Sequence, residues 1–208
     1  TTTAFASRWL IPRLRRFQER HPDIRLKMMP GNDLVDFERD NVDIGIRYGS
    51  GDWPDLQSEA LVGGELVPVC SPILLENGPP LEKPADLKHH IIIHDMDFAE
   101  WEHWLEMMEV DGVKVEKGLV YTMSGFGYEA AIQGQGVYMG VFNLIRDDLR
   151  EGRLVMPFGP ALLHKGGYHI VSRRGSTDRP SVAAFRSWLK AETDRAGLDP
   201  YAPQMPEG

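Results

Sequence analysis

"YTMSGFGYEAAIQGQGVYMG", residues 121–140, decides how this chain is read. Gly125, Gly127 and Ala130 stand in the G-x-G-x-x-A spacing of a dinucleotide-binding turn, after an apolar run and before a stretch of helical period. A dinucleotide site needs more than three small residues. The turn has to follow the leading strand of its unit, and an acid has to end the next strand to hold the ribose hydroxyls. Here the next strand is "GVYMGV", ending in Phe142 and Asn143, and Asp147 and Asp148 follow only inside the next helix. The nucleotide reading therefore fails. Two uses of the turn remain open: Ser124 caps the helix, or its hydroxyl and the free N–H groups of Gly125 to Gly127 receive a carboxylate or another acceptor.

Outward from this turn, short strand and helix patterns alternate. "FASRWLIPRLRRFQERHP" reads as a helix: Leu10, Leu14 and Phe17 line one side, arginines the other, and Pro12 is tolerable in the first turn. "DIRLKMM", residues 23–29, alternates as a half-buried strand, "GNDLVDFERDN" reads as a loop and short helix, and "VDIGIRYG" as a buried strand. "LQSEALV" and "GELVPVCSP" follow as strands, and then three prolines in "PPLEKPADL" mark a border region. A second series begins there with "HHIIIHD", "EWEHWLEMMEV", "KGLVYTM", "GYEAAIQGQ", "GVYMGV" and "LIRDDLREG". "GRLVMPF" and "GYHIVSRR" supply two more strands, and "RPSVAAFRSWLKAETDRA" closes as a helix with Val182, Phe185 and Leu189 on one stripe. Strand–helix alternation implies parallel pairing with crossover helices, hence an α/β fold. Two such series predict two lobes joined by two extended crossings, with a cleft where helix N-termini meet the carboxyl ends of strands.

Composition narrows the function. The formal charge of −8, from 23 basic and 31 acidic residues, opposes nucleic-acid binding by this chain. Its longest apolar runs fall well short of the roughly 20 residues that span a bilayer, and Thr1 to Ser7 lack a secretory pattern, so a cytoplasmic setting is expected. Cys70 is the only cysteine; it alternates with apolar neighbours and reads as core. His90 and His94 share a strand face but would be about 13 Å apart, too far for one metal ion. Catalytic elbows, zinc motifs and phosphate loops are absent, so neither catalytic residues, a metal nor a cofactor is expected. Trp101, Trp104, Leu105 and Met108 fall at helical spacing and read as packing, and Trp53 reads as a cover for the first lobe.

The ordered segments "FASRWLIPRLRRFQERHPDI", "VDIGIRYGSGDWPDL", "LVPVCSP", "PADLKHH", "AAIQGQGV" and "VAAFRSWL" resemble the effector-binding domain of LysR-type transcriptional regulators, in the branch of the glycine-cleavage activator and the β-lactamase regulator. The resemblance runs from Thr1 to about Ala196. It implies a fold similar to type 2 periplasmic binding proteins, with two Rossmann-like lobes: residues 1–72 with 167–208, and residues 73–166. In the family an N-terminal winged helix-turn-helix reads DNA, and a dimerising helix links it to this domain. Neither is among these residues, and the family's first strand, which leads into Thr1, is expected to be truncated.

The resemblance also implies a small-molecule effector, antiparallel pairing of two such domains as a homodimer, a tetramer for the full-length protein, and contact with DNA only through the N-terminal domain. Loops at carboxyl ends of strands nominate Asn32, Arg47, Tyr48, Gly49 and Ser50, and the start of the first helix nominates Thr2, Thr3 and Ser7. The resemblance adds Phe142, Asn143 and Tyr168, and favours an effector role for Ser124 and Gly125. Arg47 suits either an acidic effector or a salt bridge to Asp43 or a neighbouring acid. Ser50 stands where the branch often has an aspartate, which disfavours an amino group there. A solute-binding protein of a transport system is the alternative on the same scaffold, and an enzyme the more distant one.

Overall fold

In the computed structural model, which describes residues 1–31, 35–95, 98–159, 166–175 and 179–198, the first helix is wound in two ways. Phe5–Leu10 forms a wide π turn, with the Ile11 N–H donating to the Ala6 carbonyl, and α1, Ile11–Arg20, continues from it. Proline offers no N–H and its ring clashes with the carbonyl four residues back. Pro12 sits in the first turn of α1, and the wide turn before it accommodates the ring without ending the helix. Phe17 is fully buried, packing 5.1 Å from Phe185 and 5.2 Å from Trp188 on α6, Pro180–Arg195. Arg16 on the solvent side bonds the buried Glu192 carboxylate of α6. Val182, Phe185 and Leu189 are buried as their spacing predicts.

The described residues divide into two units, Thr1–Glu65 with His164–Gly208, and Leu66–Leu163. In unit 1, β1 (Gly45–Gly49), β7 (Gly167–Arg173) and β2 (Leu56–Gly63) form a sheet in the order β1-β7-β2. Both pairings are antiparallel, in contrast to the parallel sheet that the alternation predicts. The reason is non-local: β7 enters from the far end of the sequence and lies between two strands 100 residues upstream.

Asp23–Met29 also departs from expectation. It forms no strand, and Leu26, Met28 and Met29 are 36%, 38% and 42% exposed. The Thr1 ammonium donates to the Met29 carbonyl (3.2 Å) and the Gly31 N–H to the Thr1 carbonyl (2.9 Å), the bond pair of a parallel bridge about Pro30. A groove of about 320 Å³ separates Ile24–Met29 from residues 42–46, over Leu10, Val182 and Phe185. The short helix expected after Gly31 is a turn over Phe37–Asn41 instead, because the Asp36 carboxylate accepts the N–H groups of Glu38 and Arg39.

Unit 2 holds β3 (Leu66–Val69), β4 (Ile92–Asp95), β5 (Gly118–Tyr121) and β6 (Val137–Val141) in the order β3-β6-β4-β5. β4 runs parallel to β5 and β6, and β3 antiparallel to β6. β3 pairs within this unit, and the proline-rich stretch forms a 3-10 turn, Pro84–His89, inside it. Ser71 and Pro72 start a helix, α2 (Pro72–Asn77), that the strand reading of "VCSP" passed over. Residues 153–158 give no strand, only a bridge from Val155 to Cys70. α3 (Ala99–Met107), α4 (Phe126–Ile132) and α5 (Phe142–Arg150) complete the unit. Trp101 and Trp104 are buried, with Phe158 stacked on Trp104. Cys70 is fully buried and its thiol is pushed up to about 12 by desolvation, which makes it inert at neutral pH.

Candidate effector site

The glycine-rich turn serves packing. Gly125, not Ser124, occupies the N-cap of α4, with φ at 110°, a region that L side chains rarely adopt. A Cβ on Gly127 would lie 2.3 Å from the Tyr138 ring of β6, so glycine there lets α4 approach the sheet, and Ala130 is 4% exposed. Two of the three small residues are thus explained without a phosphate. With glycine at the N-cap no cap side chain closes α4, and the helix is only seven residues long, so its terminus alone offers little to an anion.

The strands of unit 2 place three polar positions at carboxyl ends. Asp95 ends β4 and pairs in register with Tyr121 at the end of β5, while Phe142 and Asn143 follow β6 at the start of α5. Phe142 and Asn143 are buried, at 4% and 5% exposure, so each contributes at most an edge to a ligand. Tyr138 donates its hydroxyl to Asp95 (2.5 Å), and Tyr128 accepts the Val141 N–H (2.9 Å). Burial raises the Asp95 carboxyl to about 6, against the Tyr138 hydrogen bond, with Glu100 adding to the rise. Sequence reading gave Asp95 no place in the effector site; an acid ending a buried apolar strand was the signal. No group of three or more His, Cys, Asp or Glu that could hold a metal occurs among the described residues.

In unit 1 the helix start is divided among neighbours. Thr2 caps it, its hydroxyl accepting the Phe5 N–H at 3.2 Å. Ser7 spends its hydroxyl on the helix backbone, donating to the carbonyls of Thr3 (2.9 Å) and Ala4 (3.3 Å). The Thr3 hydroxyl is buried with no hydrogen-bond partner among the described residues. Of the three, Thr3 has bonding capacity left for a ligand.

At the carboxyl end of β1, Arg47 donates to the Val35 carbonyl (3.2 Å). The salt bridge to Asp43 that the sequence left open is not made; Asp43 pairs with Arg179. Tyr48 donates to the Gly64 carbonyl (2.8 Å), and Gly49 packs under Trp53, which also meets His169 edge-on at 5.5 Å. Ser50 is exposed. Tyr168 is 3% exposed, opposite Tyr48 in register and 4.7 Å from Phe5, so its ring is core. Asn32 lies outside the described residues. The structure therefore gathers Arg47, Tyr48, Gly49 and Ser50 on one strand end with Tyr168 beside them, and puts Ser124, Gly125, Phe142 and Asn143 in the other unit.

Comparison with known proteins agrees with this architecture. Residues 1–194 match the LysR substrate binding domain model. The chain is 34% identical over 189 residues to the glycine cleavage system transcriptional activator of Escherichia coli K12, covering 91% of this chain and 62% of the relative. It is 33% identical over 191 residues to the HTH-type transcriptional activator AmpR of Providencia stuartii, covering 92% and 64%. The chain thus spans just under two thirds of the length of these curated relatives. Among solved structures, the effector domain of AmpR from Pseudomonas aeruginosa superposes with a TM-score of 0.80 at 28% identity, over 94% of this chain and 93% of that one. The AmpR effector binding domain from Citrobacter freundii gives 0.81 at 27%, over 93% and 96%. With its two α/β units, each built on a sheet, this fold is of the type 2 periplasmic-binding-protein kind, and the chain belongs to the LysR substrate-binding domain family.

Proposed function

We propose that this domain is the sensor of a bacterial transcription regulator, that it holds a small polar effector and releases it chemically unchanged, and that in the full-length protein occupancy alters how an N-terminal domain engages DNA. The observation that carries this reading is the buried Thr3 hydroxyl without a partner, at the start of a long helix and in the unit whose β1 ends in Arg47, Tyr48 and Gly49. Curated relatives are transcription activators, which favours a regulator over a transport protein. A cytoplasmic setting follows from that role, and no helix among the described residues is long and apolar enough to cross a membrane. Effector binding can move a conformational equilibrium only by its difference in affinity for the two states.

A thermal-shift screen of amino acids, purines and cell-wall fragments tests the reading. The expected result is a hit, recovered unaltered after long incubation, whose affinity falls about tenfold in Thr3→Ala or in Ser124→Ala, the loss of one ligand hydrogen bond. A hit that binds both variants as tightly as the parent would place the effector elsewhere, and a hit converted to product would make the domain an enzyme.

The domain is also proposed to pair with a second copy. β5 is an edge strand with Leu119 and Val120 at 38% and 45% exposure, next to Met123 at 39% and Phe126 at 50%, an apolar strip that solvent does not favour. Ile11 is 51% exposed on unit 1. Light scattering is expected to give a dimer that Val120→Glu converts to monomer with the melting point kept. A dimer unaffected by Val120→Glu would exclude this edge. Tetramers are expected only of the full-length protein.

A further inference from the structure

We propose that Arg47 is the anchor for an oxyanion, a carboxylate or a phosphate, on the effector, so that the ligand of this domain is an acid. This rests on the effector-sensing reading and narrows it to a chemical class. Other arginines of the chain define the contrast. Arg15, Arg16, Arg39, Arg150, Arg153, Arg173, Arg179 and Arg186 each have a carboxylate within ion-pair distance. Arg47 is half-buried on β1 and its guanidinium makes one hydrogen bond, to the neutral Val35 carbonyl, with no carboxylate beside it among the described residues.

A planar fork of five donors that uses one has four to spare, and two parallel N–H groups match an oxyanion. Burial depresses the Arg47 pKa with no acid to offset it, and the Thr1 nitrogen lies within reach of the same charge. A half-desolvated cation without a countercharge is a cost the fold bears in the empty state. An anion relieves it. Thr1 is followed by the capping Thr2 and by Thr3, whose hydroxyl is the unused donor, so the guanidinium, the hydroxyl and the positive end of the helix belong to one corner of unit 1.

The test follows the Arg47 Nε–H resonance by nitrogen-15 NMR while sodium acetate or inorganic phosphate is added at constant ionic strength, with acetamide as the neutral control. Saturable movement of this resonance in the millimolar range by either anion, and none by acetamide, is the expected result, and the preference between the anions tells carboxylate from phosphate. Arg47→Gln should abolish anion stabilisation while leaving the melting point unchanged or higher; a merely structural arginine would lower the melting point and leave the anion response intact. Asp33, outside the described residues, is the remaining acid near Val35 in sequence. A response that is absent from the parent and emerges only in Asp33→Asn would mean the arginine is already neutralised, and would overturn the proposal, as would no response in either protein. If acids from the screen bind parent and Arg47→Gln equally, the anchor fails but the sensor reading stands. If acetate or phosphate titrates Arg47 but no screened compound binds, the reverse holds.

Discussion

Gly127→Ala should lower the stability of the domain by about 3 kcal/mol, the upper part of the range for overpacking a buried contact. The added Cβ would meet the Tyr138 ring at 2.3 Å, well inside van der Waals contact. That ring has nowhere to go. Its other sides are held by the Tyr128 ring, 4.7 Å away, and by the hydroxyl bond to Asp95. Relief therefore requires α4 to lift from β6, which exposes Tyr128, Ala130 and Ala131 together. Urea denaturation measures the loss directly, and a change below 1 kcal/mol would mean that the glycine spacing has a role other than close packing.

The second large effect depends on pH. Asp95 has a folded pKa of about 6 against an unfolded value of about 3.9, so between those limits the folded protein holds more protons than the unfolded chain. Stability from this group is complete below about pH 4 and declines as the pH rises through about 6. Two pKa units correspond to nearly 3 kcal/mol, and partial access of water to the carboxyl reduces the expectation to about 2 kcal/mol. Asp95→Asn keeps an acceptor for the Tyr138 hydroxyl and removes the charge. It should be about 2 kcal/mol more stable than the parent at pH 7.5 and no more stable at pH 4. A constant difference across this range would show that the carboxyl is not held against its charge.

These two sites mark what the residue order discloses. Helix faces were legible because burial follows a local period: Trp101 and Trp104 on α3, and Val182, Phe185 and Leu189 on α6, are all buried. Pairing partners were not. Asp23–Met29 alternates as a strand does, yet alternation cannot supply the neighbour it needs, and β7 turns the unit 1 sheet antiparallel from more than 100 residues away. At the candidate site the helix start was legible, but one-residue distinctions were not. Thr2 rather than Thr3 became the cap, and Gly125 rather than Ser124 took the N-cap of α4, because backbone angles and not residue types decide which group is used. Arg47 could have paired with Asp43; only the fold sends that acid to Arg179.

On this proposal an acidic small molecule is held in unit 1 by the Arg47 guanidinium and the Thr3 hydroxyl. Hydrogen–deuterium exchange followed by mass spectrometry, with and without the strongest acid from the screen, tests it most directly. The expected result is slowed exchange at Thr2 to Ser7 and at Arg47 to Ser50 in unit 1, saturating at a single stoichiometry. Slowed exchange lying wholly outside these segments would contradict it.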